Sequence, residues 1–163
     1  MSDGGLRSFR HGIHPAENKG RTEHEPVRRM PFVSTYTVPL AQHIGNPAVA
    51  VVERGARVQR GQVIAEAAGF VSVPVHAPVT GRVLAVEPRR QANGAVTRAV
   101  VIEADPWDSQ VLPPAAGVDP AGMDPATFVA HLQRGGLVGL GGAAFPAHVK
   151  AALPAGRTVH ALV

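Results

Sequence analysis

Between residues 35 and 104 the apolar residues fall in short runs: Thr35–Leu40, Ala48–Val52, Gln62–Ala67, Phe70–Val75, Arg82–Glu87 and Val96–Glu103. Gly, Pro or Asn punctuates the stretches between them. The runs are rich in valine, and Val71-Ser72-Val73-Pro74-Val75 and Val83-Leu84-Ala85-Val86 are read as alternating strands. Runs of this length with turn signals at close spacing predict a small all-β module over 35–104. Asn93-Gly94 lies between the last two runs. Both residue types accept positive φ at little cost, so the pair predicts a tight hairpin.

The flanking segments differ in kind. Residues 1–34 lack a sustained period over most of their length and read as an extended arm lying over the folded body. Residues 105–122 form a proline-rich connector, in which each residue before a proline is steered away from helix. A helix is then predicted: Asp124 caps, Pro125 takes the first helical position, Phe128, Val129 and Leu132 form one apolar stripe, and Gly135-Gly136 ends it. Leu137 to Lys150 reads as a glycine-rich loop entering a second short helix, and Thr158–Val163 as a buried strand. A strand with nothing after it suggests that the chain is cut inside a second domain, spanning 123–163.

Composition narrows the classes. With 18 Gly and 15 Pro in 163 residues, about a fifth of the chain, the protein stays below the roughly 25–30% typical of low complexity. It should therefore fold, with many turns. The absence of cysteine excludes a disulfide framework, a thiolate zinc site, cysteine catalysis and any iron–sulfur cluster held by thiolates of this chain. No apolar run approaches the roughly 18 residues of a membrane span, and the N-terminus has no signal-peptide core, so the segment reads as soluble and cytoplasmic. The charge is +4, from 16 basic and 12 acidic residues, and the only lysines are Lys19 and Lys150. The few aromatics are scattered rather than interleaved with a basic patch, which argues against nucleic-acid binding.

Two segments carry candidate chemistry. In the first, Gly55 and Gly61 each precede a turn into an apolar strand, and Ala77-Pro78-Val79-Thr80-Gly81-Arg82-Val83 follows. Together they resemble the biotinyl/lipoyl carrier domain, a flattened barrel of two interlocking sheets. That family carries its cofactor on a lysine at a hairpin tip. The corresponding stretch here, Glu66-Ala67-Ala68-Gly69-Phe70, has none, and no lysine occurs between residues 20 and 149. A carrier-like fold serving as scaffold or docking surface is expected.

In the second segment, Gly139-x-Gly141-x-x-Ala144 fits a relaxed dinucleotide fingerprint, in which missing side chains let backbone N–H groups approach a phosphate. Lys150 lies one to two helical turns on and can meet the same anion as a point charge. The string does not follow a clean Rossmann strand, which argues against an ordinary dinucleotide fold.

The whole string Gly-Leu-Gly-Gly-Ala-Ala-Phe-Pro-Ala-His-Val-Lys at 139–150 closely resembles the flavin and NADH loop of the complex I flavin subunit. Three further motifs precede it in fixed order: Gly12-Ile13-His14-Pro15-Ala16-Glu17-Asn18-Lys19, Pro39-Leu40-Ala41-Gln42-His43-Ile44-Gly45-Asn46-Pro47-Ala48, and Gly69-Phe70-Val71-Ser72-Val73-Pro74-Val75-His76-Ala77-Pro78. With them the chain resembles the C subunits of the Rnf (Rsx) electron-transport complexes. The resemblance implies a barrel-sandwich hybrid module followed by the start of an FMN-binding domain like that of the complex I flavin subunit: a mostly β chain with a partial α/β region. It also implies a peripheral subunit on the cytoplasmic side of the bacterial inner membrane. Electrons would pass between NADH and ferredoxin, coupled to ion movement, in company with other membrane-complex subunits. Gly139, Gly141 and Lys150 would surround the FMN phosphate and ribityl chain, and Gly142, Ala143 and Phe145 would lie near the NAD(H) nicotinamide nucleotide. Iron–sulfur clusters would lie beyond Val163, so this piece alone would not pass electrons onward. The complex I pattern has Arg where Leu140 stands and Gly where Ala144 stands, which removes one anion contact and crowds the turn.

Other candidates are bland. His11, His14 and His24 sit in the arm without a compact scaffold and read as solvent or packing residues rather than metal ligands. Glu53, Glu66, Glu87 and Glu103 lack a convergent partner for acid–base work. His43 and His76 read as polar groups that face each other across the β module. No catalytic residue is assigned. Beside the redox-subunit reading stands a non-enzymatic one, in which an unmodified lipoyl-like module docks other subunits.

Overall fold

A computed structural model describes residues 16–28, 30–108, 110–112, 117–154 and 156. The chain divides into two units, Met1–Phe32 and Val33–Val163. In the first, Lys19 opens a short turn in which the Thr22 and Glu23 N–H groups donate to its carbonyl at 2.8 and 2.9 Å. The ion pairs Lys19–Glu17 and Arg28–Glu25 are exposed, and such pairs contribute little.

The second unit holds seven strands: β1 Thr35–Pro39, β2 Val49–Ala50, β3 Arg57–Val58, β4 Val63–Glu66, β5 Val75–His76, β6 Gly81–Arg90 and β7 Val96–Ala104. All pair antiparallel, in a four-stranded sheet of order β1-β7-β6-β3 and a three-stranded sheet of order β2-β4-β5. One core is drawn from both sheets. Val38, Val58, Val83, Val100 and Ile102 come from the first, and Ile64, Ala65 and Val75 from the second. This is the barrel-sandwich arrangement that the valine-rich runs and the Gly55/Gly61 spacing led one to expect.

The longest hairpin, β6 to β7, turns at Asn93-Gly94 as predicted, with Gly94 at φ 86° and the Gln91 N–H donating to Ala95 at 2.7 Å. Within it the pairing steps from Val83↔Ile102 to Ala85↔Val101, so Leu84 is the extra residue of a bulge. An inserted residue reverses the parity of every later side chain. Val83 is therefore buried, Leu84 is turned outward, and Val86 packs back onto the same core beside Val100. Strict alternation through Val83-Leu84-Ala85-Val86 is corrected accordingly.

A second correction concerns Phe70–Val75, which is not a strand before Val75. Its backbone groups find partners outside a regular ladder: the Val71 carbonyl accepts from the Asn46 N–H at 3.1 Å and the Ser72 carbonyl from Gln133 Nε2 at 3.0 Å. Ser72 Oγ accepts from the Ala68 N–H (3.0 Å) and donates to the Asn46 carbonyl (2.8 Å), and the Val73 N–H donates to His43 Nε2. Pro74 has no N–H to offer a neighbouring strand. The residues 71–75 are also nearly all buried rather than alternating, because packing closes over both sides of this loop.

The start of the connector is pinned to the module. Arg57 bridges Asp105 and Asp108, and the Asp108 carboxylate, hydrogen-bonded to the guanidinium, raises the Arg57 pKa above its usual value. Gln110 behaves like an added strand residue: its Oε1 accepts from the Thr80 N–H at 2.9 Å and its Nε2 donates to the Thr80 and Asp105 carbonyls. A short 3-10 turn, Pro120–Gly122, follows, capped by Asp119. Helix α1 then spans Pro125–Arg134 and α2 Ala147–Ala151. The predicted strand at Thr158–Val163 and the residues His11 and His14 lie outside the described residues.

Candidate functional site

The sequence elements around the glycine loop form as their residues dictate. Asp124 caps α1, its Oδ1 accepting from the Ala126 and Thr127 N–H groups at 3.0 Å, while Thr127 Oγ1 donates to Oδ2 at 2.5 Å. These bonds favour the carboxylate, the Thr127 hydroxyl most, and hold the Asp124 pKa below its ordinary value. Val129, Leu132 and Gln133 are half-buried on the inner side of α1. Phe128, expected in the same stripe, is 36% exposed.

Between the helices the chain closes a loop at its neck. Val138 and Pro146 form an antiparallel bridge, flanked by Gly139 N–H to the Phe145 carbonyl and Ala147 N–H to the Leu137 carbonyl, both 2.9 Å. At the tip the Ala143 N–H returns to the Gly141 carbonyl at 2.8 Å, a γ-turn centred on Gly142 with φ 73°. That positive φ is where glycine is needed, since the turn strains any residue with a Cβ. Ala144 follows at φ 47°, in the left-handed region, at the place where the complex I pattern has Gly. The N–H groups of Gly141 and Gly142 have no hydrogen-bond partner among the described residues.

The candidate residues separate into two groups. Gly139, Phe145 and Lys150 come together at the neck. The Lys150 Nζ lies 5.8 Å from the Phe145 ring centroid, and a Cβ on Gly139 would stand 3.4 Å from that nitrogen. The ammonium thus occupies room that Gly139 leaves free, over a ring face that attracts cations. Gly141, Gly142 and Ala143 lie at the exposed tip, and Leu140 beside them is 97% exposed. Phe145 therefore sits with Lys150 and Gly139 rather than with Gly142 and Ala143. The loop thus offers glycine N–H groups at its tip, without a partner among the described residues, and an ammonium at its neck, the kinds of donor that suit a phosphate.

One residue outside the candidate set anchors this loop. His148 is fully buried, and its Nε2 lies 2.6 Å from the Phe70 carbonyl, with the ring edge-on to that of Phe70 at 5.5 Å. A carbonyl only accepts, so Nε2 carries the hydrogen. Nδ1 is buried without a partner among the described residues. Nothing local in the sequence singles out His148, because its partner lies 78 residues away. His43 donates through Nδ1 to the neighbouring Ile44 carbonyl and accepts at Nε2 from the Val73 N–H, 30 residues away, whereas His76 packs against Gly136. No group of three or more metal-binding side chains occurs among the described residues.

Two antiparallel sheets closed over one core, with the glycine-loop segment set against one hairpin tip, define a barrel-sandwich hybrid protein. The family model described as the RnfC barrel sandwich hybrid domain matches residues 7–106, and the chain belongs to this family. Among curated proteins it is 40% identical over 160 residues to the C subunit of the Na(+)-translocating ferredoxin:NAD(+) oxidoreductase complex of Acetobacterium woodii, covering 96% of this chain and 35% of that protein. It is 33% identical over 158 residues to the C subunit of the proton-translocating ferredoxin:NAD(+) oxidoreductase complex of Clostridium ljungdahlii, covering 97% and 35%. It is 37% identical over 161 residues to the C subunit of the ion-translocating oxidoreductase complex of Pseudomonas aeruginosa, covering 97% and 20%. The chain thus spans about a third or less of the length of these relatives. No helix among the described residues is long and apolar enough to cross a membrane.

Proposed function

We propose that this chain forms part of a peripheral subunit of an ion-translocating electron-transport complex on the cytoplasmic side of a bacterial inner membrane, where its glycine loop positions FMN and a nicotinamide nucleotide. The observation that carries this reading is one glycine loop that offers the Gly141 and Gly142 N–H groups, without a partner among the described residues, at its exposed tip and the Lys150 ammonium at its neck beside Gly139. Such groups bind a phosphate without a side chain in the way. The relatives' names, ferredoxin:NAD(+) oxidoreductase subunits, supply the redox context. FMN, when bound, would supply the step between hydride and single-electron transfer, while the chain's own residues bind and orient it.

In this reading residues 123–163 open the flavin-binding domain and residues 35–104 serve it as a base. Lys150 is held near the neck by the Phe145 ring, so its charge stays beside Gly139 at the base of the loop. Ferredoxin, NADH and the other subunits of the complex are the expected partners. Clusters ligated by thiolates would lie in residues other than these 163, which contain no cysteine.

The test is Gly141→Asp in the full-length protein. A carboxylate at the tip would repel a phosphate, and nothing lies within 4 Å of a Cβ placed there, so folding should survive. The expected result is loss of bound FMN and of NADH-dependent dye reduction at unchanged melting temperature. Undiminished flavin content would refute the assignment.

A further inference from the structure

In carrier domains of this shape the hairpin tip between two strands of the smaller sheet presents the modified lysine to partners. Here that tip, residues 67–74 between β4 and β5, is covered from within the chain. Three independent contacts seat the glycine-loop segment on it. Gln133 Nε2 of α1 donates to the Gly69 carbonyl at 3.3 Å and the Ser72 carbonyl at 3.0 Å. Gly136, at φ 67°, brings its Cα so near that a Cβ would lie 3.0 Å from the Pro74 carbonyl and 3.2 Å from the His76 ring. His148 of α2 closes the far side, donating to the Phe70 carbonyl at 2.6 Å.

These contacts bracket the loop. Gln133 and Gly136 precede Gly139 by a few residues, and His148 follows Phe145 by three, so both ends of the loop are tied to the same carrier-like tip. The tip itself is held by side-chain bonds from Ser72 and Asn46, the latter donating to the Ala68 carbonyl at 2.9 Å. A rigid seat under both ends limits the conformations open to the loop's N–H groups, and pre-organised donors bind an anion more tightly.

We infer that the lysine-free tip of the barrel-sandwich module has become the internal seat of the glycine loop, and that His148 is the positioning residue that fixes the loop there. The ring packs edge-on against Phe70 and its Nε2–H supplies a directed bond from α2 to the module. In this inference His148 has a positioning role. It acts through the geometry of residues 139–145. The inference builds on the reading of that loop as the FMN site.

The experiment compares His148→Ala, His148→Gln, Gln133→Ala and Gly141→Asp in the full-length protein. It reads amide hydrogen exchange without flavin and FMN affinity by fluorescence. His148→Ala removes the bond, whereas the glutamine amide can restore a donor at the Nε2 position. The expected result is exchange about tenfold faster over both 67–74 and 137–147 in His148→Ala, given the size of one buried hydrogen bond and its packing. FMN binding should weaken alongside, and His148→Gln should recover most of both. Gln133→Ala, at a half-buried position, gives the same linked pattern more mildly should His148→Ala fail to fold. If His148→Ala, or Gln133→Ala in its place, leaves exchange over 67–74 unchanged, or if FMN affinity is unchanged while Gly141→Asp abolishes it, the positioning role is wrong. If Gly141→Asp keeps its flavin, the FMN reading fails instead, and the exchange data still decide whether the tip is the loop's seat.

Discussion

The imidazole of His148 donates to the carbonyl of Phe70 across 78 residues of chain and joins the glycine-loop segment to the hairpin tip of the β module. The bond is short, buried on the histidine side, and flanked by an edge-on ring contact. A buried donor–acceptor pair of this kind contributes modestly when made and costs more when one partner is removed. The Nε2–H of His148 should therefore appear in NMR spectra as a slowly exchanging imidazole proton. A ring proton that exchanges as fast as in a free peptide would contradict the buried bond.

Ala144 holds φ 47°, a conformation that costs a residue with a Cβ roughly 1–2 kcal/mol. Glycine relieves that strain but adds freedom to the unfolded chain, which offsets roughly 0.5–1 kcal/mol. Ala144→Gly should stabilise the protein by about 1 kcal/mol on these terms. The check is the urea midpoint, which should rise. A fall would mean that the left-handed turn is not formed in solution.

Asp124 makes helix α1 sensitive to acid. Its pKa is lowered in the folded state, chiefly by the hydrogen bond from Thr127, so the cap's contribution is complete above the unfolded-state value. It is lost as pH falls through the depressed folded value. Acidification below about pH 4, the ordinary carboxylate range, should fray α1 in the wild type. Asp124→Asn should remove most of this pH dependence while keeping an oxygen acceptor for the Ala126 and Thr127 N–H groups. Amide exchange across 125–134 measured against pH provides the readout, and identical pH profiles for the two proteins would exclude the mechanism.

Ile64 is fully buried at the centre of the core shared by the two sheets. Truncation to alanine removes contacts to both sheets and leaves a cavity, which costs about 2–5 kcal/mol in well-packed sites. Ile64→Ala should lower the unfolding free energy by that amount, whereas Val51→Ala, at a position 55% exposed, should change it little. Equal effects in chemical denaturation would show that the core is not where the structure puts it.

The connector carries a built-in reporter, because Trp107 is the single tryptophan of the chain and stands 95% exposed between Asp105 and Asp108. Its N–H bonds to Asp105 Oδ1, and both aspartates are tied to Arg57. Arg57→Ala should lower Trp107 fluorescence anisotropy with little change in melting temperature, since exposed ion pairs contribute little to global stability. Unchanged anisotropy would mean that Arg57 does not hold the connector.

Much of the β module was legible because local signals and tertiary packing agree there. Asn93-Gly94 marks its hairpin, the Val-rich runs mark β1, β4, β6 and β7, and Asp124-Pro125 with Gly135-Gly136 brackets α1. Three features escaped. Strand β3 is only two residues, Arg57–Val58, too short for a period to show. The loop 70–74 has strand-like composition, but its polar backbone is satisfied by Asn46, His43, Gln133 and His148 instead of a neighbouring strand. The bulge at Leu84 shifts parity within an unbroken apolar run, where every residue type is compatible with either face.

The amino-acid sequence by itself determined the chemistry on offer. It has no cysteine, no lysine between residues 20 and 149, glycines at 139, 141 and 142, and a lysine at 150. It also determined where turns and caps must fall, because positive φ, proline and aspartate capping act through covalent geometry and bonds to near neighbours. Only the tertiary structure decided which of these groups meet. Lys150 stands over Phe145 and beside Gly139, while Gly141 and Gly142 stay at the tip. His148, Gln133 and Gly136 gather on a hairpin 60 to 80 residues earlier, through contacts that depend on burial and shape and therefore exist only once the two sheets have closed over their core.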